Sequence, residues 1–491
     1  MKKFLLFTII AYLITSCCIN DDYILPDNDN KNAQNKETVS ETITGTLGKT
    51  LYLVKMNPTS KIVSANNSGY VYSNELSNNE KQSEFYRKDN PLTLTFYPQE
   101  YSRSTNTRSS DTKEYNLNET KEFWIMENEP LIIDNIIWSK LSAKLRAKGD
   151  YCYIWVPDNY WGNGTNAVSQ SIVTNLQKKF DSIYPRITNV FGYPDSNETS
   201  RIHILIFDLF SDSRNGSVFG YFMSKDYYPY DDMYRSNECC MFYLDAFLTN
   251  KMSEMAYSTL AHEFQHMINH YNKTLLAYNT ESTQTWFTEM LSMLCEDMLQ
   301  SYLGISDNNS PINRMQNFNT EYYQHGITEW QNTQTSYANI YAFGAYLIRN
   351  FGGIKLLSAI GKNKKTNKES ITEALQTLGY DETFDSVFLK FSQALIYEDS
   401  NKLTLNKKIT ETLGGYEYTF KAFNIWNISY RQGFRKIYGP YCFSPSERVQ
   451  LRPYGFTIHT QNSWQNITTD TFTVELTKND NEDVKYMFIL K

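Results

Sequence analysis

Histidine and cysteine are both scarce in this chain of 491 residues, at six and seven. No two cysteines stand in a CxxC spacing, so a metal site built from paired cysteine knuckles is excluded. Cationic charge is not in excess either. Lys+Arg is 47 against 54 for Asp+Glu, a net charge of −7, which gives no general electrostatic pull towards nucleic acid, and no such partner is expected. Long apolar runs are missing from the N-terminus, where a mostly apolar stretch covers only Phe4–Ile14, well short of the ~20 residues of a membrane-spanning helix. No internal repeat is visible. What is present is the make-up of a globular protein. Hydrophobic residues are 41% and charged residues 21%, which excludes a disordered or coiled-coil chain. At ~100–200 residues per domain, two to four domains are expected. Aromatic residues reach 15%, with 38 Tyr, so many rings must lie at surfaces or in grooves. Three of the six histidines fall between positions 262 and 270.

Met1-Lys2-Lys3 followed by the apolar stretch has the form of a signal peptide. Ile14-Thr15-Ser16-Cys17 resembles the lipobox of bacterial lipoproteins. The resemblance implies cleavage after Ser16, lipidation of Cys17 and a lipid-anchored place in a bacterial cell envelope, at the outer membrane or cell surface. Residues 17–42 are Asp/Asn/Lys-rich and read as a flexible tether. Residues 43–145 carry short strand-like runs, Leu51–Val54 and Leu92–Phe96, with a polar loop at 99–118. Residues 146–405 alternate first between buried strands (152–156, 202–207, 241–244) and a helix near 168–189. They then become helical at 253–271, 282–301, 336–351 and 370–398. From 406 to 491 short aromatic strands return. The fold class expected is α+β, with a central helical and stranded domain between two β-rich accessory domains. Disulfides among Cys152, Cys239, Cys240, Cys295 and Cys442 are allowed in an oxidising envelope, without a readable pairing.

His262-Glu263-Phe264-Gln265-His266 is an HExxH motif inside a helical pattern. Two histidines four apart project from one side of a helix about a turn apart, and both can reach one tetrahedral Zn²⁺. Glu263, rotated by ~100°, is better placed to accept a proton from a water than to bind the ion. The competing explanation is a surface helix that happens to carry two histidines. A third ligand is needed. The HExxHxxGxxH pattern is excluded, because Asn269 and Asn272 stand where it needs Gly and His. His270 lies two turns, ~12 Å, beyond His262 and is read as a rim residue. Glu289 sits at the edge of the apolar stripe of the next helix, where a carboxylate needs a partner, and is the expected third ligand. Tyr337 is favoured over Tyr341 as the donor to a developing oxyanion, both lying on one face of their helix. Asp208–Gly216 is oxygen-rich and could take Ca²⁺, though without EF-hand spacing.

HExxH separated by 22 residues from Glu289, within Trp286-Phe287-Thr288-Glu289, resembles the gluzincin zinc peptidases. His262 to Asn269 resembles the motif of bacterial hyicolysin-type metallopeptidases, with further likeness at Ile204–Asp208, Gly220–Phe222, Tyr243–Asp245 and Ala342–Leu347. The resemblance covers about 150–355. It implies a zincin-like domain at 146–405, one catalytic zinc on His262, His266 and Glu289, Glu263 as general base, and a protein or peptide substrate. One departure is visible: Met293 stands where thermolysin-like enzymes carry an Asp that orients a zinc-bound histidine, and Asp245 and Asn269 are the substitutes considered. Met126-Glu127-Asn128 is only a fragment of an amino-terminus-binding exopeptidase motif, which favours an endopeptidase. A zinc exopeptidase and a non-catalytic envelope binding lipoprotein are the alternatives, and the oligomeric state is open.

Overall fold

The computed structural model describes residues 36–71, 113–128, 136–164, 167–196, 200–211, 218–277, 283–479 and 483–491. The signal peptide, Cys17, the first part of the tether, the expected strand at 92–96 and much of the Asp208–Gly216 loop lie outside the described residues.

The first strands are β1 (Lys36–Thr44), β2 (Leu51–Met56) and β3 (Tyr70–Val71). Residues 36–42, expected as tether, are therefore strand. The β-branched Thr38, Val39, Thr42 and Ile43 favour extension, although Lys36, Glu37, Ser40 and Glu41 make the run polar. Next come β4 (Thr120–Met126), β5 (Trp138–Lys148), β6 (Cys152–Val156), α1 (Gln170–Phe191), β7 (Ile202–Phe207), β8 (Gly220–Phe222) and β9 (Met241–Asp245). They build a six-stranded sheet in the order β4-β5-β6-β7-β9-β8. β6, β7 and β9 run parallel, while β8 pairs antiparallel to β9 at the edge. β4 and β5 therefore belong to this central sheet, and the expected boundary at 145/146 does not follow the strand pairing.

The three parallel strands are apolar at nearly every position because both sheet faces are covered. Ile154, Ile204, Phe242 and Leu244 meet the helices on one side. Tyr153, Trp155, Leu205 and Tyr243 pack with Phe123 and Leu145 on the other. α1 starts at Ser169, whose side chain accepts from the Ile172 amide, and lays Val173, Leu176, Phe180, Ile183 and Ile187 on the sheet.

The helical part follows as α2 (Ala246–Lys251), α3 (Ser253–His270), α4 (Thr285–Leu303), α5 (Met315–Glu321), α6 (Gln334–Asn350), α7 (Gly353–Lys362), α8 (Asn367–Thr377) and α9 (Phe384–Ile396). The helix expected over 370–398 is two helices, broken at Leu378-Gly379, where Gly379 takes φ +85°. α3 turns one face to α1 through Phe264, whose ring lies 5.1 Å from Phe180 and 5.1 Å from Tyr184. Its opposite face meets α4. α3 runs on into a wide π turn at Tyr271–Leu276. There the buried Lys273 Nζ donates to the Ile360 and Asn363 carbonyls at 2.6 and 2.7 Å, fastening the end of α3 to the α7–α8 turn. α6 comes close to α4 because Gly344 has no side chain: a Cβ there would stand 2.8 Å from Met290 Cγ.

The chain ends in β10 (Ile409–Leu413) with β11 (Tyr416–Phe420), β12 (Ser429–Gln432) with β13 (Arg435–Tyr438), then β14 (Phe456–His459), β15 (Thr471–Asn479) and β16 (Lys485–Leu490). Two small sheets mix early and late strands. One has the order β1-β15-β3, the other β14-β2-β16. The two expected β-rich accessory regions thus share strands. No disulfide joins Cys152, Cys239, Cys240, Cys295 and Cys442. Among the described residues, no helix is long and apolar enough to cross a membrane.

Candidate metal centre

α3 and α4 pack antiparallel, and one face of each supplies the site. His262 and His266, a turn apart on α3, both point at Glu289 in the second turn of α4. His262 Nε2 and His266 Nε2 are 3.0 Å apart. Glu289 Oε2 is 3.2 Å from the first, and Glu289 Oε1 is 3.5 Å from the second. A ligand atom from each of the three residues lies within 4.8 Å of the others, and all three side chains are buried. A tetrahedral cation with ligand bonds of ~2.0–2.1 Å has ligand–ligand edges of ~3.3 Å, and this triangle of two nitrogens and a carboxylate fits it.

The electrostatics agree with that fit. Burial disfavours charge on His262, but the Glu289 and Glu296 carboxylates outweigh it and push the imidazole up to about 10. Burial likewise disfavours the Glu289 carboxylate, yet His266 and His262 hold it well below the usual carboxylate range. Burial lowers His266 from the ordinary imidazole value, against the pull of the Glu289 carboxylate. The carboxylates of Glu289 and Glu296 thus make the surroundings of the two imidazoles negative, as suits a bound cation.

Glu263 lies one residue on, near Phe222 of β8 and close enough to Glu289 to feel its charge. Both of its oxygens are buried and have no hydrogen-bond partner. The Phe222 amide is near enough to favour its charge but does not reach hydrogen-bond geometry. Burial dominates and pushes this carboxyl up to about 8. Such a group holds and releases a proton near neutrality, as a general base does.

The outer atoms of the two imidazoles have separate partners. His262 Nδ1 is 2.7 Å from Glu296 Oε1, and Ser258 Oγ donates to Glu296 Oε2 at 2.5 Å. His266 Nδ1 is 3.0 Å from Ser292 Oγ, which donates to Gln265 Oε1 at 2.7 Å. Sequence reading missed Glu296. The signal that could have found it is its seven-residue spacing from Glu289, which brings it back to the same face of α4. Of the two substitutes considered, Asp245 is occupied elsewhere. It caps α2 by accepting from the Leu248 amide at 2.8 Å and takes the Leu209 amide at 3.0 Å. Asn269 is buried, and its Oδ1 has no hydrogen-bond partner, so it does not serve either imidazole through that atom.

Tyr337 is buried on α6, with the Trp330 ring at 4.7 Å and the Arg314 guanidinium 4.7 Å from its ring centre. Burial raises its phenol well above the usual range, and the Glu289 carboxylate adds to this. Tyr341 is committed elsewhere, donating to Asp297 Oδ2 at 3.2 Å. His270 is not part of the cluster. It sits among the rings of Phe222, Tyr227 and Tyr228, and burial lowers it to about 3.

Comparison with known proteins agrees with the geometry. Neutral metalloprotease ShpI of Staphylococcus hyicus is 28% identical over 258 residues, which are 48% of this chain and 54% of that protein. The match spans about half the length of that relative. The family model described as Peptidase M30 matches residues 139–403, a stretch that contains the central sheet from β5 onward, α3, α4 and α6. With more than half of its length inside that match and the two histidines, Glu263 and Glu289 gathered within it, the chain belongs to the Peptidase M30 family.

Proposed function

We propose that this protein is a zinc-dependent metalloendopeptidase. The observation that carries the proposal is the convergence of His262, His266 and Glu289 beside a buried, unpartnered Glu263 carboxylate. The metalloprotease named above supports the reaction class. His262, His266 and Glu289 would hold the ion, leaving one tetrahedral position for water or substrate. Zinc supplies Lewis-acid polarisation of the scissile carbonyl and makes the attacking water more acidic. Glu263 takes the proton of that water and passes it to the leaving amine, a task suited to a carboxyl whose burial raises its proton affinity. Tyr337 donates its hydroxyl to the carbonyl oxygen as negative charge develops there. Met126 ends β4 and precedes no amino-terminus-binding motif, which favours internal cleavage over exopeptidase action. Cys17 carries the lipid that anchors the protein in the cell envelope. Recovery of a mature N-terminus other than Cys17 from the soluble fraction would remove that part of the reading.

The test is metal analysis of the full chain together with hydrolysis of an internally quenched peptide blocked at both ends. One zinc per chain and cleavage of the blocked peptide are expected, with loss of both in His266→Ala. Hydrolysis only of peptides with a free terminus would make it an exopeptidase. Bound zinc without hydrolysis of any peptide would favour an envelope binding lipoprotein.

A further inference from the structure

The two metal-binding histidines are held by unlike partners, and the difference assigns a role to a residue outside the ligand set. An imidazole that binds an ion through Nε2 must carry its proton on Nδ1, so the partner of Nδ1 fixes the tautomer. For His262 that partner is a carboxylate: Nδ1–H donates to Glu296 Oε1 at 2.7 Å. The other Glu296 oxygen is occupied by the Ser258 hydroxyl at 2.5 Å, one turn before His262 on the same face of α3. For His266 the partner is neutral: Nδ1–H donates to Ser292 Oγ at 3.0 Å, and that hydroxyl passes its own proton to Gln265 Oε1 at 2.7 Å. One helix, α4, supplies the ligand and both supports at positions 289, 292 and 296, facing 266, 262 and 258 on α3.

We infer that Glu296 is the positioning residue that sets how tightly this site retains zinc, acting through His262, whereas Ser292 chiefly orients His266. A carboxylate accepting from Nδ1–H increases the electron density at Nε2, which a hydroxyl does to a lesser degree. The inference rests on the metal assignment proposed above.

The experiment measures the zinc dissociation constant of the full chain by competition with a chromogenic chelator. It compares wild type with Glu296→Gln, Glu296→Ala and Ser292→Ala, and records the visible spectrum of each cobalt-loaded protein. Glu296→Gln keeps shape and an acceptor for Nδ1–H but removes the charge, so it separates electronic support from mere orientation. Removal of such a partner costs about 10–100-fold in affinity. The expected order is wild type tightest, then Ser292→Ala, then Glu296→Gln, then Glu296→Ala, with the cobalt bands displaced most in the two Glu296 variants. Should Glu296→Ala fail to fold, Glu296→Gln alone decides. Zinc affinity and a cobalt spectrum in Glu296→Gln equal to wild type would overturn the inference while leaving the zinc assignment standing. A wild-type chain that binds no zinc would overturn the assignment itself.

Discussion

α4 carries two buried charged clusters little more than two turns apart, and they are built on opposite rules. At Asp297 every charge is answered from within. Arg349 Nη1 lies 2.9 Å from Asp297 Oδ2, and Tyr341 donates to the same oxygen. The remaining guanidinium groups reach the Lys421 carbonyl at 2.7 and 3.1 Å. At Glu289, by contrast, two imidazole nitrogens face each other and a carboxylate, while the neighbouring Glu263 has no partner for either oxygen. The first cluster is a closed ion pair that ties α4, α6 and the strand-rich C-terminal part together. The second keeps a buried carboxylate, Glu263, with no hydrogen-bond partner for either oxygen. Burial alone does not tell a functional site from a structural one; the balance of donors, acceptors and charge does.

The comparison is most sharply broken at Glu263. Glu263→Gln keeps the shape and removes the proton acceptor, so peptide hydrolysis should fall by about 10²–10⁴-fold with zinc content unchanged. Metal analysis beside a quenched-peptide assay reads both. A rate near wild type would end the general-base assignment. At the closed cluster the effect should be on the fold instead. Arg349→Met strands a buried carboxylate and should cost about 3–5 kcal/mol of stability, visible as a lower denaturation midpoint. Molecules that remain folded should bind zinc normally.

A third test uses pH. Glu263 is held at about 8, above its ordinary 4.5, so the folded chain retains a proton that the unfolded chain gives up. Its contribution to stability is complete below about 4.5 and is lost as pH rises through about 8. Glu263→Gln lacks this loss. In the presence of a chelator the variant should therefore gain stability over wild type as pH rises across that window. Parallel melting curves from pH 5 to 9, roughly the span set by those two values, would remove this account of Glu263. The smallest effect separates the two tyrosines. Tyr341→Phe deprives Asp297 of a donor and should cost about 1–3 kcal/mol of stability with little change in rate. Tyr337→Phe should do the reverse, lowering kcat with little change in melting temperature.

The site was more legible in the sequence than the architecture around it. His262 and His266 are set by the helical repeat, and Glu289 stands out because a carboxylate at the edge of an apolar stripe is costly. Glu296 did not stand out, since a glutamate on a helix is ordinarily solvated. Only the rotation of α4 against α3 reveals that it faces His262. Tyr337 and Tyr341 share a helix face; the sequence favoured Tyr337 without saying what occupies Tyr341, which the bond to Asp297 beside Arg349 supplies. The parallel strands were readable from their unbroken apolar runs. The pairing of β1 with β15, and of β2 with β14 and β16, was not, because no local pattern encodes a partner some four hundred residues away.

That last pairing has a consequence in time. β2, the apolar Leu51–Met56, lies between β14 and β16 and takes its last partner at Lys485–Leu490. At ~5–20 residues per second, a ribosome delivers β16 roughly 20–90 s after β2. Until β14 follows, β2 has two open edges, and until β16 follows it has one, each able to pair with other chains. The central strand of that small sheet can therefore be completed only after nearly all of the chain that follows it has been made.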